Sequence, residues 1–182
     1  MSIIAAATDG TTVWMGSDSA VTGGITYLTG SKVFTVGTVL YGVCGNLDAC
    51  NAIRHGSKLP GSVVNARSGG GVIESVELDR WAYHTILPRL KEAMLKNGVT
   101  EPSFNVMVGI RGRILLVDEN AVSEDRRPYV ALGSGSEVAL GAMHTLMNRQ
   151  GRRNHAGIVE KALEAACEFM PSCAGPLFIR NV

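Results

Sequence analysis

Ser2 is the first residue whose position suggests chemistry, because it directly follows the initiator Met1. Methionine is normally removed when the next residue is small, so we expect the mature chain to begin with Ser2. An N-terminal serine carries a nucleophilic hydroxyl and a base, its own α-amine, on the same residue. The unperturbed pKa of that amine is about 8, so it can accept the hydroxyl proton near neutral pH. Ser2 is therefore a candidate nucleophile that needs no histidine.

Asp18 and Lys32 are placed where they could support this nucleophile. The β-prone runs Ser2–Thr8 and Thr11–Gly16 flank the turn dipeptide Asp9-Gly10 and predict a hairpin. Folding back about that turn brings Asp18 toward the start of the first strand. A lysine near the N-terminus would lower the effective pKa of a nearby hydroxyl, and an aspartate would hold that lysine in place.

Two glycine-containing segments could donate backbone N–H groups to a negatively charged oxygen. Gly42, within Tyr41–Gly45, has no side chain to keep a substrate away from its N–H. The turn Gly133–Ser136 contains Ser134 and precedes a predicted helix, where N–H groups lack intrahelical partners. Taken alone, each of these residues also fits an ordinary turn or strand role, as do the aspartate and the lysine.

Length and composition indicate one globular domain, residues 1–182. The 182 residues are enough to bury a substantial core. Apolar residues make up 46% and charged residues 18%, which would suit burial of surface against copies of the same chain. The net charge of +1 gives no strong field for nucleic acid or for an acidic membrane. The pairs Arg126-Arg127 and Arg152-Arg153 are interpreted as solvated loops.

Targeting signals and metal motifs are not expected. No segment reaches the roughly 18 apolar residues of a membrane span, and the N-terminus lacks the basic region and apolar core of a signal peptide. Cysteine and histidine do not cluster and no CxxC pair occurs, so a zinc site is not predicted. We expect reduced thiols in a cytoplasmic protein, with disulfides as the alternative. The four cysteines are Cys44, Cys50, Cys167 and Cys173.

Periodicity predicts grouped strands and grouped helices. Helices are expected at Asn46–Lys58 with Asn46 as N-cap, Glu74–Lys96 ending at Asn97-Gly98, Ser136–Asn148 and His155–Met170. Further strands are expected at Lys32–Val36, Thr38–Val43, Ser103–Ile110, Arg113–Val117, Val130–Leu132 and Leu177–Ile179, with Thr22–Ser31 as a loop. A doubly wound parallel sheet would alternate the two types of element. The grouping instead favours antiparallel sheets with helices packed outside.

The order of these motifs resembles the proteasome β-subunit family of N-terminal nucleophile (Ntn) hydrolases, and most closely its HslV-like bacterial form. The resemblance rests on Ser2, Thr8–Gly10, Ser17–Ser19, Thr22, Lys32–Phe34, Gly42–Gly45 and Gly133–Gly135, and on a last helix around Ile158–Ala166. The spacing from Ser2 to Asp18 equals that from nucleophile to catalytic aspartate in the family. The fold that the resemblance implies is α+β, a four-layer αββα sandwich of two antiparallel sheets flanked by helices.

The resemblance also implies roles for individual residues. Ser2 matches the nucleophile, Asp18 the acid that orients the lysine, and Lys32 the basic residue beside the nucleophile. Gly42 matches the oxyanion donor, and Ser134 matches a serine that hydrogen-bonds near the terminal amine. Thr22 lies where the main chain pairs with an extended substrate. Val21, Leu40 and Cys44 fall near pocket-lining positions, which would favour small or apolar substrate side chains.

The implied reaction is cleavage of peptide bonds through an ester-linked acyl-enzyme, without a metal or organic cofactor. The implied partners are further copies of the chain in a homo-oligomeric, stacked ring, an ATP-dependent unfoldase, and peptide or unfolded protein as substrate. Neither nucleic acid nor a membrane is expected as a partner.

Two alternatives share the same fold. A ring-forming subunit without turnover is motivated by the serine in place of the usual threonine, and by a segment Pro171–Gly175 without the family's supporting Asp and Ser at the matching place. The retained Asp18, Lys32 and Gly42 argue against it. A small-amide hydrolase is the other alternative, because the fold does not determine the substrate.

Overall fold

The computed structural model describes residues 3–23, 25–28, 30–63, 75–100, 102–149 and 153–182. Ser2, residue 74 at the predicted start of the long helix, and Arg152 lie outside these ranges, as do the side chains of Thr22 and its neighbours up to residue 28.

The strands fall into two main sheets and one small hairpin. They are β1 (Ile3–Thr8), β2 (Val13–Ser17), β3 (Ala20–Gly23), β4 (Ile25–Leu28), β5 (Val33–Val36), β6 (Val39–Gly45), β7 (Phe104–Ile110), β8 (Arg113–Val117), β9 (Val122–Asp125), β10 (Tyr129–Gly133) and β11 (Phe178–Asn181). One sheet has the order β10-β1-β2-β11 and the other has the order β5-β6-β7-β8-β9. Every recorded strand pair in them is antiparallel.

The helices are α1 (Leu47–Asn51), α2 (Ser75–Lys96), α3 (Ser136–Met147) and α4 (His155–Phe169), and a π-helical turn, Ala52–Gly56, follows α1. Asn46 caps α1 through its side-chain oxygen, which accepts a hydrogen bond from the Ala49 N–H at 3.0 Å. Gly98 follows α2 with a φ of 69°, as the predicted glycine C-cap requires. Among the described helices, none combines the length and apolarity needed to cross a bilayer.

The predicted antiparallel architecture is confirmed, with two differences in the strands. The segment Thr22–Ser31 was expected to be a loop, but β3 and β4 pair there as a hairpin. Its β-branched and aromatic residues, Thr22, Ile25 and Tyr27, outweigh the glycines in strand propensity. The short edge strand β9 was not predicted; its sequence, VSED, carries little apolar patterning.

Alternation along the strands builds the four layers. On β6, Val39, Tyr41 and Val43 face a cluster formed with α2, whereas Leu40 and Cys44 face the opposite sheet. On β1, Ile3, Ala5 and Ala7 pack against α3 and α4, and Ile4 and Ala6 face inward. Because both faces of these central strands are covered, their sequences are continuous apolar runs. The layers are therefore helix, sheet, sheet and helix, the predicted αββα sandwich.

Gly112 and Gly141 form a matched pair for testing backbone constraints. Gly112 has a φ of 72°, and an added Cβ would lie 2.2 Å from the Gly10 carbonyl oxygen. Gly141 lies within α3 and would meet nothing within 4 Å. We expect Gly112→Ala to lower the free energy of unfolding by about 2–3 kcal/mol. Gly141→Ala should raise it by about 0.5–1 kcal/mol, because alanine reduces the entropy of the unfolded chain. Urea denaturation of both variants measures this, and equal effects would contradict it.

Candidate active site

A buried ion pair lies where β1 begins. The Lys32 Nζ is 2.5 Å from the Asp18 Oδ1, and the two side chains are 9% and 0% exposed. Asp18 directly follows β2, and Lys32 directly precedes β5. The two charges are therefore brought together by the facing ends of strands from different sheets.

Asp18 accepts hydrogen bonds from three backbone segments as well as from the lysine. Its Oδ1 accepts from the Ile3 N–H at 3.0 Å, and its Oδ2 accepts from the Ala20 N–H at 3.1 Å and the Ala174 N–H at 3.4 Å. A carboxylate with this many donors is held in one orientation. Asp18 thus fixes the first described residue of β1, the start of β3 and the loop after α4.

Lys32 is fixed by hydrogen bonds from both its side chain and its backbone. Its Nζ donates to Asp18 and to the Ala20 carbonyl oxygen, the latter at 2.5 Å, and its backbone N–H donates to the Ser17 Oγ at 3.1 Å. An ammonium group has three N–H donors. Two have acceptors among the described residues, which leaves one N–H for a group outside them.

Ser134 lies beside the same strand start. In the β1–β10 ladder Ile3 is opposite Gly133, so Ser134 comes just beyond the point where β1 begins. Its Oγ lies 2.8 Å from the Ser172 Oγ, and the Ser172 side chain is buried. Sequence reasoning missed Ser172, because its segment was compared with a fixed family spacing. The position of a serine directly after α4 was the signal that could have identified it.

The structure places Gly42 away from any open surface. Val43 donates its N–H to the Lys32 carbonyl oxygen, so the preceding N–H, that of Gly42, is directed to the other edge of β6, toward β7. An added Cβ at Gly42 would lie 2.7 Å from the Met15 sulfur and 2.9 Å from Ile4. Gly42 therefore allows the two sheets to approach closely, and its N–H is directed into the ladder.

Gly45 has the orientation that was expected of Gly42. It lies two residues after Val43, so its N–H is directed to the same edge as that of Val43, beyond the first residue of β5. Its φ is 146°, and an added Cβ would lie 2.1 Å from the Ser103 carbonyl oxygen. Only glycine fits this strand end, and the residue itself is exposed.

The predicted substrate-binding residues fall into different environments. Val21 is partly exposed on β3, and the main chain of Thr22 continues that strand. Cys44 is 4% exposed and packs between the sheets near Lys32. Leu40 is 0% exposed within the inter-sheet core, so it does not fit a pocket-lining role. The period of two along β6 turns Leu40 inward, and the sequence alone did not reveal which face would be covered.

The cysteines are free thiols with little nucleophilic character. Burial raises the pKa of Cys44 to about 12 and the pKa values of Cys50 and Cys167 to about 11. Burial also raises the pKa of Cys173, against the opposing effect of hydrogen bonding with Ser172 and Ser134. Because the thiolate is the reactive form, these thiols do not compete with a hydroxyl nucleophile near neutral pH.

Solved structures with the same architecture exist, although sequence comparison finds no relative. The sequence matches no protein-family model and none of the curated proteins with which it was compared. The structure of BPH from Thiobacillus denitrificans in complex with epoxomicin superposes with a TM-score of 0.75 at 17% identity, covering 99% of this chain and 97% of that one. Eukaryotic HslV from Trypanosoma brucei gives a TM-score of 0.66 at 18% identity, covering 98% of each chain.

A third similar structure is a Gly-1 mutant of Anbu from Hyphomicrobium sp. strain MC1. It gives a TM-score of 0.68 at 14% identity and covers 98% of this chain and 80% of that one. Identities this low show a shared fold and leave the chemistry to be argued from the residues. The chain has the fold of the proteasome-like Ntn hydrolases, and the predicted resemblance is confirmed at that level.

The ion pair allows a stability prediction. We expect Asp18→Ala to lower the free energy of unfolding by about 3–5 kcal/mol, because Lys32 then stays buried without its counter-charge. The double variant Asp18→Ala/Lys32→Met should lose less than Asp18→Ala alone, since it buries no unpaired charge. Urea denaturation followed by circular dichroism measures both values. A loss below about 1 kcal/mol for Asp18→Ala would show that the pair is not buried as described.

Thiol reactivity tests the environment of the cysteines. At pH 8 we expect Ellman's reagent to modify the folded protein about a hundredfold more slowly than the urea-unfolded protein, because the raised pKa values leave little thiolate. Absorbance at constant reagent concentration follows both reactions. One fast equivalent in the folded protein would identify an activated cysteine and contradict this interpretation.

Proposed function

We propose that this chain is a proteasome-like peptidase whose nucleophile is Ser2, exposed by removal of Met1. The observation that carries the proposal is the buried pair of Asp18 and Lys32, which is fixed to the N–H of Ile3, the residue next to Ser2. A buried charge pair is costly to desolvate. Its contact with the N–H of Ile3, the residue that follows Ser2 in the chain, supports a chemical purpose for the pair.

In the proposed reaction the Ser2 Oγ attacks the peptide carbonyl carbon while its proton passes to the Ser2 α-amine. The remaining N–H of Lys32 donates to Oγ and favours its deprotonated form. The C–N bond then breaks, and the departing amine takes the proton. Water hydrolyses the resulting ester by the same route and regenerates the free hydroxyl.

Gly45 and Ser134 complete the proposed site. We assign the oxyanion donor to the Gly45 N–H, in place of Gly42, because it is directed past the start of β5 on the side of Lys32. Ser134, hydrogen-bonded to Ser172, is assigned to orient the α-amine. The β3 main chain around Val21 and Thr22 would pair with an extended substrate.

The proposal includes a homo-oligomeric, stacked ring, with unfolded protein delivered by an ATP-dependent unfoldase. Exposed large apolar side chains, Tyr83, Leu95 and Phe169 among them, support burial against other copies of the chain. A cytoplasmic location is also proposed, since four free cysteines fit a reducing compartment.

An epoxyketone is the sharpest probe of the nucleophile. The similar BPH structure contains epoxomicin, an epoxyketone that reacts with a hydroxyl and a neighbouring amine on one residue. We expect the intact mass of the purified protein to lack one methionine and to gain one equivalent of epoxomicin, located on Ser2 by peptide mapping. Fluorogenic peptide hydrolysis should disappear in parallel with adduct formation.

Variants identify which groups are required. Ser2→Ala should abolish the adduct and peptide hydrolysis, and Lys32→Met should slow both by at least a hundredfold, as expected for loss of one preorganised donor. Lys91→Ala, on the exposed face of α2, is the control and should react as the unmodified chain does. Circular dichroism checks that each variant is folded.

Other outcomes point to the two alternatives. Retained Met1 with no adduct would contradict the peptidase proposal and leave a ring-forming subunit without turnover. An adduct on Ser2 with hydrolysis of small acyl amides, but of no peptide, would identify a small-amide hydrolase.

A further inference from the structure

A cavity of about 880 Å³ lies at the end of the sandwich opposite the candidate active site. It is lined by the β1–β2 turn at Thr8–Gly10, the β7–β8 turn at Arg111-Gly112 and the segment after β9. β1 runs from Ile3, at the candidate active site, to Thr8, at this cavity. The two places are therefore about 17 Å apart along the strand.

Arginine side chains from three segments line this cavity, together with His155, whose pKa is lowered by burial. The arginines are Arg111, Arg113, Arg126, Arg127 and Arg153. Their net effect depends on the carboxylates beside them. Asp9, Glu124 and Asp125 also line the cavity, so each must be accounted for.

Two of the carboxylates form ion pairs with arginines, and the third accepts hydrogen bonds from backbone N–H groups of its own turn. Glu124 accepts from the Arg113 Nε at 2.5 Å, and Asp125 accepts from the Arg127 Nε at 3.0 Å. The Asp9 Oδ1 accepts from the backbone N–H groups of Thr11 and Thr12 at 2.9 and 2.8 Å. Each of these carboxylates therefore has a local partner, although the Glu124 Oε2 is buried without a hydrogen-bond partner among the described residues.

Among the described residues, three arginines lack an ion-pair partner, and the ionised Asp9, whose pKa hydrogen bonds from Thr12 and Thr11 lower to about 2, offsets the charge of one of them. Within the described parts of the chain, no carboxylate lies within ion-pair distance of Arg111, Arg126 or Arg153. A fourth carboxyl group, that of Asp79, lies near Arg113 and Arg126. Burial and the neighbouring Glu124 raise the pKa of Asp79, whereas Arg113 and Arg126 oppose this shift.

The beginning of α4 adds to the positive potential. α4 has 15 residues and starts at His155, which lines the cavity. The positive end of its dipole therefore lies at the cavity, and the Gly157 N–H of its first turn donates to the Asn154 Oδ1. The His155 ring also stacks on Trp14, with ring centroids 5.0 Å apart and an interplanar angle of 12°. Occupancy of the cavity should therefore alter the surroundings of a tryptophan.

We propose that this cavity binds a small polyanion of the polyphosphate class, either free or carried by a nucleotide. Its volume lies within the range of small-ligand sites. Arginine forks and a helix N-terminus both favour phosphate oxygens, and three guanidinium groups without an ion-pair partner among the described residues fit a ligand with several negative charges. Arg126, Arg127 and Arg153 are exposed in loops, as predicted, and the fold brings them together from segments distant in sequence; Arg152 lies outside the described residues.

Trp14 provides the measurement. The chain has two tryptophans, so Trp81→Phe leaves Trp14 as the reporter. Titration of the full-length Trp81→Phe protein with sodium tripolyphosphate, at constant ionic strength, should give a saturable change in emission. Arg126→Ala/Arg153→Ala in the same background should weaken binding at least tenfold. Both arginines are exposed, so their loss should leave the fold unchanged by circular dichroism.

A matched control separates binding from general charge effects. Lys58→Ala/Lys91→Ala removes the same amount of positive charge from exposed positions outside the cavity and should change affinity less than twofold. An equal loss in this control, or a linear titration without saturation, would overturn the proposal.

Further ligands identify the source of the phosphate. Equal affinity for ATP and tripolyphosphate would support recognition of the phosphate chain alone, and tenfold tighter binding of ATP would support a nucleotide. Citrate binding as tightly as tripolyphosphate would overturn the polyphosphate assignment. Isothermal titration calorimetry on the unmodified protein checks the affinities independently of Trp14.

Discussion

The buried pair of Asp18 and Lys32 is the interaction on which the candidate active site depends. One carboxylate satisfies the lysine and the N–H groups of Ile3, Ala20 and Ala174, and so joins four chain segments at one point. A buried charge pair adds little net stability compared with apolar residues of the same size. The pair instead fixes the relative positions of these four segments, because any displacement of one of them leaves a charge or an N–H without a partner.

The sandwich restricts where polar chemistry can occur. Both faces of β1 and β6 are covered, so polar groups on these strands can reach an open surface only at the strand ends. Gly42 and Gly109 intensify this constraint, because both lie where an added Cβ would collide with the opposite sheet. Among the described residues, the ion pair near Ile3 and the arginine-lined cavity near Asp9 accordingly lie at opposite ends of β1.

Predictions that rested on order along the chain agree with the structure. The hairpin about Asp9-Gly10 places Asp18 beside Ile3, and the α3 turn places Ser134 at the same strand start. Predictions that depended on which face or edge of a strand is exposed agree less well with the structure. Leu40 and Gly42 alternate with Tyr41 along β6, and without the partner strands the sequence could not show which side would be closed. A loop is predicted where β3 and β4 form a hairpin, because the glycines of this segment indicate a loop whereas its β-branched and aromatic residues favour strands.

By itself, the sequence determined the antiparallel strands, the helices and the candidate residues Ser2, Asp18, Lys32 and Ser134, since turns, periodicity and residue chemistry are local properties. Only the tertiary structure decided that Ser172 partners Ser134, that Gly45 rather than Gly42 has the N–H on the side of Lys32, and that arginines from three segments share a cavity. These relations join residues far apart in the chain. Sheet register and layer packing set them, and neither is encoded in any short stretch of sequence.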